Sequence, residues 1–225
     1  MLMATNDKYM IDIQEFDAVI LANGEFPRNE IPLSLLRSGL PVVCCDGAAE
    51  KLLGAGITPT AVVGDGDSLP KALKESLSDK LVVVSRQDNN DLSKAVDYSV
   101  AQGWRRLAIV GASGLREDHL LANIALLTDF ATKAQCRMFT DYGVFTAISG
   151  DTTFRSFPHQ QVSVFSMDKD NILTYSGLEY LVENRKFVHL WEGTLNSALG
   201  DSFEIRATGD TIVFQTYERK LRVEN

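Results

Sequence analysis

Long apolar runs are missing from this 225-residue chain. None approaches the ~20 consecutive apolar residues that a transmembrane helix needs. The N-terminal sequence MLMATNDKYMIDIQEFD also lacks a basic start followed by a long apolar core, so we expect no secretory signal. Together these absences predict a cytoplasmic protein with no membrane partner.

Basic residues and cysteines are scarce as well. Lysine and arginine total 22 against 30 aspartates and glutamates, which gives a formal net charge of −8. This deficit argues against a broad basic surface for DNA or RNA, although a bound cation could still attract a small anionic substrate. The three cysteines, Cys44, Cys45 and Cys136, lack metal-ligand spacing. We therefore interpret them as buried free thiols of a reducing compartment.

The hydrophobic rhythm of the chain changes near residue 142, although no repeat or low-complexity linker marks the place. Before that point, short apolar runs alternate with stretches that carry apolar residues at helical spacing. The alternation predicts an α/β domain, residues 1–141, with a parallel Rossmann-like sheet covered on both faces. The apolar runs are DAVILANG, PVVCCDG, TAVVGDGD, KLVVVSRQD, RLAIVGASG and CRMFTDYG.

The remaining residues, 142–225, form short segments, many of them alternating, between turn signals such as SGDT and DKDN. This pattern predicts a small antiparallel β-sandwich domain with almost no helix. Within it, RATGDTIVF is typical of a β-hairpin whose turn lies at Gly209 and Asp210.

Acidic, amide and glycine residues follow the predicted strands of the α/β domain. Because ligands bind beyond the carboxyl ends of strands in an open α/β sheet, these segments predict a ligand cleft. In VVGDGDS, Gly66 separates Asp65 from Asp67, and a tight turn could bring both carboxylates around one point. A divalent cation there would relieve their repulsion, and Mg²⁺ commonly uses one or two carboxylates plus substrate phosphates. The alternative is a pair of solvated turn residues.

Three further segments add to this cleft. In SRQDNNDLSKAVDY, Asp91 could cap a helix that begins at Leu92, bind a metal, or do both. The small residues of VGASGLREDH would let backbone N–H groups and a helix N-terminus face a phosphate. Arg116 could clamp that phosphate, or could form a local surface ion pair with Asp118. In CCDGAA, Asp46 precedes small residues that again suit the close approach of a ligand. The segments together predict an acidic, metal-dependent nucleotide cleft.

Four blocks of the sequence, taken in order, resemble the thiamine pyrophosphokinase family. They are DGAAEKLLGAGITPTAVVGDGDS, QDNNDLSKAVDY, GASGLREDHLLANIALL, and SGLEY followed by GTLNSALGDSFEI. The resemblance spans roughly residues 20–205. It implies an α/β nucleotide domain joined to a β-sandwich that binds thiamine and forms a homodimer. It also implies transfer of a pyrophosphoryl group from ATP to thiamine with Mg²⁺, which yields thiamine diphosphate and AMP.

The resemblance also implies roles for individual residues. Asp65, Asp67 and Asp91 would hold Mg²⁺ against the triphosphate, and Asp91 would lie where a carboxylate could take the hydroxyl proton. Thiamine would meet the block that contains Tyr180 and Asn196, and the nearby Trp191 could stack on its cationic ring or belong to the core. The residues expected around the nucleotide are Asn23, Asp46, Gly47, Gln87, Arg116 and Asp118.

The chain departs from the family at several positions, and other functions fit parts of the pattern. An alternative acceptor is another alcohol, such as a hydroxymethylpterin. A non-catalytic nucleotide or thiamine sensor is a second alternative. A metal-dependent sugar transferase is a third, but it leaves GLREDH unexplained. The departures are Glu50 for an amide, Gly66 for an aromatic residue, Asn90 for threonine, Leu115 within a Gly-Gly-Arg triplet, Tyr180 for tryptophan and Leu195 for serine.

Overall fold

The computed structural model describes residues 9–66, 69–84 and 89–218. The chain forms two compact units. One comprises Asp12–Asp141, and the other comprises the described residues from Tyr142 onward together with residues 9–11. The predicted metal ligand Asp67 and the predicted nucleotide-binding residue Gln87 lie outside the described residues.

Strands and helices alternate along the first unit, as the sequence predicts. In the described part of the chain, the longest helix has 15 residues, and no helix is long and apolar enough to span a membrane. The strands are β1 (Ala18–Leu21), β2 (Val42–Cys45), β3 (Ala61–Gly64), β4 (Leu81–Val83), β5 (Arg106–Val110) and β6 (Gln135–Phe139). The helices are α1 (Glu30–Leu36), α2 (Ala48–Gly54), α3 (Lys71–Ser76), α4 (Asp91–Ala101) and α5 (Glu117–Ala131).

The six strands of this unit form a parallel sheet in the order β6-β5-β1-β2-β3-β4. Strands β1, β2 and β3 are buried along their whole length. The α/β prediction is therefore confirmed, because continuous apolar runs are typical of strands covered on both faces. Strand β1 lies between β2 and β5, so the direction in which successive strands are added reverses there. Such a switch point opens a crevice at the carboxyl ends of the strands.

The second unit contains two antiparallel sheets, which confirms the predicted β-sandwich. Their buried apolar side chains, such as Val162, Val213, Phe203 and Ile205, form a common core. One sheet has the order β11-β9-β13-β7 and the other β10-β12-β8. The strands are β7 (Gly143–Ser149), β8 (Thr152–Arg155), β9 (Gln161–Ser166), β10 (Leu173–Ser176), β11 (Asn196–Ser197), β12 (Ser202–Ala207) and β13 (Asp210–Thr216).

The hairpin predicted at Gly209 and Asp210 is wrong. Strand β12 pairs with β10 and β8, whereas β13 pairs with β7 and β9, so the turn connects the two sheets. The buried side chain of Asn171 explains the difference. Its Oδ1 accepts hydrogen bonds from the main-chain N–H groups of Thr208 at 3.0 Å and Gly209 at 2.9 Å. These bonds bind the turn to another loop, a long-range contact that turn-residue preferences do not encode.

Candidate functional site

The loops that follow β1 and β5 meet at the switch point of the parallel sheet. The N–H of Gly24 donates to the carbonyl oxygen of Gly111 at 2.7 Å, and the N–H of Glu25 donates to that of Ser113 at 2.8 Å. A side chain at Gly24 would collide with both carbonyl oxygens. The sequence predicts that the small residues of GASG admit a ligand. In the structure, the lack of a side chain at Gly24 also allows the β1 loop to pack directly against this segment.

Asn23 and Gly47 lie together beside these loops. A Cβ atom on Gly47 would lie 2.8 Å from Nδ2 of Asn23, so glycine is required for the exposed amide to occupy this place. Lys51, one turn further along α2, donates from Nζ to the Gly24 carbonyl oxygen at 2.6 Å and to Oδ1 of Asn23 at 3.3 Å. Sequence reasoning missed Lys51, because a lysine on a short helix is usually a solvated surface residue.

Asp46 follows β2 and is only 1% exposed. Its main-chain N–H donates to the Val63 carbonyl oxygen at 3.0 Å. A Cβ atom on Gly64 would lie 2.8 Å from Cβ of Asp46, so the carboxylate packs closely against the end of β3. Asp65, which directly follows Gly64 in the sequence, is exposed. The structure thus places Asp46 and Asp65 at two neighbouring strand ends, as the sequence predicts.

The turn after Asp65 depends on glycine. Gly66 has a φ of +79°, a left-handed conformation that side-chain-bearing residues rarely adopt. An aromatic residue here, as in the resembled family, would be strained in this backbone. A Cβ atom at this position would also lie 3.8 Å from Nζ of Lys74, so a cation lies close to the turn.

Asn90, and not Asp91, caps helix α4. Asn90 has extended backbone angles, and its Oδ1 accepts a hydrogen bond from the N–H of Ser93 at 2.8 Å. Asp91 is already helical, so its side chain does not reach back over the first turn in the way that a cap must. The suggested capping role of Asp91 is therefore wrong. Its carboxylate instead accepts a hydrogen bond from Nζ of Lys94 at 2.9 Å.

The charges of Asp46, Asp91 and Lys94 all act on the thiol of Cys45, the last residue of β2. Burial raises the pKa of Cys45 well above its ordinary value, and the charges of Asp91 and Asp46 raise the pKa further, whereas Lys94 lowers it. Two of the predicted acidic residues therefore lie within electrostatic reach of the same thiol. Lys94 was not predicted as part of the site, although a lysine on the apolar face of α4 is a detectable signal. Its neighbours on that face, Leu92, Ala95 and Val96, are buried.

Arg116 and Asp118 form a two-pronged ion pair at the start of α5. Nε of Arg116 lies 3.0 Å from Oδ1 of Asp118, and its terminal nitrogen lies 2.5 Å from Oδ2. Hydrogen bonding between them raises the pKa of Arg116 and lowers that of Asp118. The local ion pair considered from the sequence is therefore present. Both side chains are exposed, which leaves the remaining guanidinium N–H groups accessible to an anion.

The described residues contain no group of three histidine, cysteine, aspartate or glutamate side chains that could hold a metal ion. Asp67, one of three expected ligands, lies outside them. Asp65 and Asp91 are the two expected ligands whose positions are described.

In the second unit, two of the expected thiamine residues are directly linked. Asn196 is buried, and its Nδ2 donates to the Tyr180 carbonyl oxygen at 2.8 Å. Its Oδ1 accepts from the N–H groups of Tyr180 at 3.0 Å and Ser197 at 2.8 Å. The Asn196 side chain thus holds the backbone of Tyr180, whose own side chain is 63% exposed.

Trp191 is exposed and not part of the core. It is 71% accessible, and its ring lies parallel to that of His189 with the centroids 6.1 Å apart. Other apolar side chains of the same segment are also exposed, and we name this set the apolar patch. Its members are Tyr180, Leu181, Val188, Leu190, Trp191, Leu195 and Leu199.

Two protein-family models match successive parts of the chain. The model described as "Thiamin pyrophosphokinase, catalytic domain" matches residues 34–140. The model described as "Thiamin pyrophosphokinase, substrate-binding domain" matches residues 143–214. The first match lies within the α/β unit and the second within the β-sandwich unit.

Individual relatives agree with these matches. A thiamine pyrophosphokinase of Bacillus subtilis is 33% identical over 86 residues, which cover 36% of this chain and 40% of that protein. A crystal structure of thiamin pyrophosphokinase from Geobacillus thermodenitrificans has a TM-score of 0.73 and 24% identity, covering 88% of this chain and 96% of that one. The enzyme from Candida albicans gives a TM-score of 0.74 at 16% identity, covering 96% and 98%. At these identities the structural matches establish the fold alone.

Proposed function

The chain belongs to the thiamin pyrophosphokinase family, and we propose that it transfers a pyrophosphoryl group from ATP to the hydroxyl group of thiamine. The products are thiamine diphosphate and AMP. One observation carries this proposal. The family model for the catalytic domain matches residues 34–140. These residues include Asp46 directly after β2, Asp65 directly after β3 and Asp91 at the start of α4.

The nucleotide binds along the carboxyl edge of the parallel sheet. Arg116 supplies phosphate contacts, because its guanidinium is exposed and oriented by Asp118. A planar, pre-oriented guanidinium suits the paired oxygens of a phosphate. Asn23 and Gly47 border the same edge, beside the contact between the β1 and β5 loops. Asp46 and Gln87 complete the proposed nucleotide contacts.

Magnesium is the proposed metal, with Asp65, Asp67 and Asp91 as ligands. The donors are carboxylate oxygens, which is the ligand type that Mg²⁺ prefers. When bound, Mg²⁺ would neutralise phosphate charge, so a protein with a net charge of −8 can bind ATP. Asp67→Asn should lower the rate at least ~10²-fold, since a lost metal ligand typically has an effect of that size. Near-normal activity at limiting Mg²⁺ would remove Asp67 from the ligand set.

The transfer itself needs alignment more than covalent help. The thiamine hydroxyl oxygen attacks the β-phosphorus of ATP, and the bond from that phosphorus to the bridging oxygen of the α-phosphate breaks. AMP leaves with that oxygen. Asp91 accepts the hydroxyl proton in this scheme, as its side chain is 40% exposed at the start of α4.

Thiamine binds to the β-sandwich unit at Tyr180 and Trp191, with Asn196 fixing the backbone of Tyr180. The number of exposed apolar side chains in the apolar patch supports a homodimer, because large exposed apolar surface commonly marks an interface. We place the protein in the cytoplasm, where its three free cysteines would stay reduced.

Incubation of the purified protein with ATP, Mg²⁺ and thiamine tests the proposal. Mass spectrometry should detect AMP and thiamine diphosphate in equal amounts. A hydroxymethylpterin serves as the control acceptor and should give no product. Formation of ADP with a monophosphorylated acceptor, or preference for the pterin, would contradict the proposed function.

A further inference from the structure

Lys94 is a buried cation at the edge of the proposed nucleotide site. Its side chain is 7% exposed, whereas that of its partner Asp91 is 40% exposed. The ammonium lies 2.9 Å from Oδ1 of Asp91, one helical turn away. Helix α4 packs on β2 and β3, the strands that precede Asp46 and Asp65, and the charges of both members of the pair act on Cys45 at the end of β2.

Asp97 of helix α4 forms a second lysine–aspartate pair, with Lys133 beyond the end of α5. Nζ of Lys133 lies 2.7 Å from Oδ1 of Asp97, and both side chains are about half exposed, at 45% and 44%. An exposed pair of this kind stabilises a protein very little. A buried ammonium, by contrast, must give up its hydration shell, which is costly even when a carboxylate faces it. A gain in stability therefore does not explain why Lys94 is buried. Its effect on the partner carboxylate of Asp91 offers an explanation.

The surroundings of Lys94 are acidic. The thiol of Cys45 lies within the electrostatic reach of Asp46, Asp91 and Lys94 together. Asp91 begins a helix and is partly open to solvent, so without a partner its carboxylate would rotate freely. The negative charge of Asp46, which acts on the same thiol, would also repel this carboxylate from the end of β2. Lys94 opposes both effects from the protein interior.

We propose that Lys94 is a positioning residue that holds the carboxylate of Asp91 over the carboxyl ends of β2 and β3 for the transfer reaction. It acts through Asp91 and makes no contact with substrate. Because its side chain is buried, the orientation is present before ATP or thiamine binds. The inference rests on the proposed function, since Asp91 is the residue assigned there to metal binding and proton acceptance.

A double-mutant cycle in kcat tests this role. Lys94→Met keeps the length of the side chain and removes its charge, and should lower kcat about 10- to 100-fold, the size typical of lost orienting groups. The KM for thiamine should change little. In an Asp91→Asn background the same substitution should change kcat less than twofold, because its target is absent. Lys94→Arg should recover part of the rate, and Lys133→Met is the matched control with unchanged kcat.

A second cycle uses urea unfolding with a chelator and no substrates. Asp91→Asn should lower the unfolding midpoint, because it leaves a buried ammonium unpaired. Lys94→Met combined with Asp91→Asn should recover most of that loss. This cycle does not depend on turnover, so it judges the Lys94–Asp91 pair even if the wild-type protein forms no thiamine diphosphate, a result that would reject the proposed function instead.

Three results would overturn the inference. The first is an unchanged kcat in Lys94→Met, which would make the lysine purely structural. The second is an equal loss of kcat in the wild-type and Asp91→Asn backgrounds, which would mean that Lys94 contacts substrate itself. The third is an unfolding midpoint of the double variant that equals the sum of the two single effects, which would mean that Lys94 and Asp91 do not interact. If Asp91→Asn has no measurable rate, Asp91→Glu replaces it as the background, and the unfolding cycle still applies.

Discussion

Gly64 and Asp46 are packed so closely that a single methyl group on Gly64 would lie 2.8 Å from Cβ of Asp46. Real Cβ atoms do not approach that closely, and Asp46 is buried, so it has little room to move away. The end of β3 thus fixes the position of an acidic side chain on the neighbouring strand end.

Gly64→Ala should therefore displace Asp46 and weaken ATP binding. We expect the free energy of unfolding to fall by about 1–3 kcal/mol, as is usual for overpacking in a close-packed interior. Urea unfolding and calorimetric titration with ATP measure the two effects. Gly54→Ala is the matched control, because a Cβ there meets nothing within 4 Å. Equal behaviour of the two variants would contradict the prediction.

Leu115→Gly should stabilise the protein. Leu115 has a φ of +63° and is 70% exposed, so its side chain gains little from burial while its backbone is strained. Relief of about 1 kcal/mol of left-handed strain, less the greater chain entropy of glycine, leaves a gain of about 0.5 kcal/mol. Leu121→Gly, at a 65% exposed position inside α5, should instead cost about 1 kcal/mol. Urea unfolding compares the two, and a loss in both variants would show that Leu115 is not strained.

Trp191 should report thiamine binding by its fluorescence. The chain contains two tryptophans, so Trp104→Phe leaves Trp191 as the only source of tryptophan fluorescence. We expect thiamine to quench that variant and to leave Trp191→Phe unchanged. Trp191→Ala should raise the KM for thiamine roughly ten-fold, the size of a cation–π contact. Its melting temperature should stay constant because the ring is exposed. Quenching that persists in Trp191→Phe would exclude stacking on this residue.

The contribution of Asp17 to the free energy of unfolding should disappear in strongly acidic solution. Hydrogen bonds from the Arg106 guanidinium lower its pKa from 3.8 to about 2, with help from the main-chain N–H groups of Arg105 and Arg106. A folded-state pKa below the unfolded value means that the contribution is complete above pH 3.8 and is lost as the pH falls towards 2. Allowing for solvent screening, it amounts to about 1 kcal/mol.

The free energy of unfolding of wild type should exceed that of Asp17→Asn by that amount at pH 6. In urea unfolding the difference should shrink below pH 3.8 and be largely lost at pH 2. Arg106→Gln removes the largest cause of the lowered pKa of Asp17, so it should narrow the pH range over which the contribution of Asp17 to stability changes. A difference that does not change with pH would show that Asp17 acts only through hydrogen bonds that Asn can also make.

The sequence predicted the parallel sheet well because its signals are local and repeated. Strands buried on both faces are continuous apolar runs, and each is followed by a helix pattern. The positions of Asp46 and Asp65 followed directly, since residues after parallel strands share one edge of the sheet. The hairpin error at Gly209 has the opposite cause. A turn signal states that the chain reverses, whereas the choice of sheet depends on Asn171, 38 residues away.

The least predictable features depend on which side chain reaches which group. Asn90 and Asp91 are both good capping residues, and only the helical backbone of Asp91 decides between them. Lys94 and Lys133 each form an ion pair with an aspartate of α4, but the first lysine is buried and the second is exposed. The sequence associates Gly47 with a ligand, whereas in the structure this glycine makes room for the side chain of Asn23, and Gly24 and Gly64 likewise lie against protein atoms.

The labelling rates of the three thiols can report how often the folded molecule opens. All are free and buried, and burial raises the pKa of Cys44 and Cys136 to about 12. Since only a thiolate reacts readily, an alkylating reagent at neutral pH should react with these thiols only when the chain opens and exposes them. Cys45 and Cys136 belong to strands on opposite sides of β1, so their separate labelling rates compare how often each flank of the sheet comes apart.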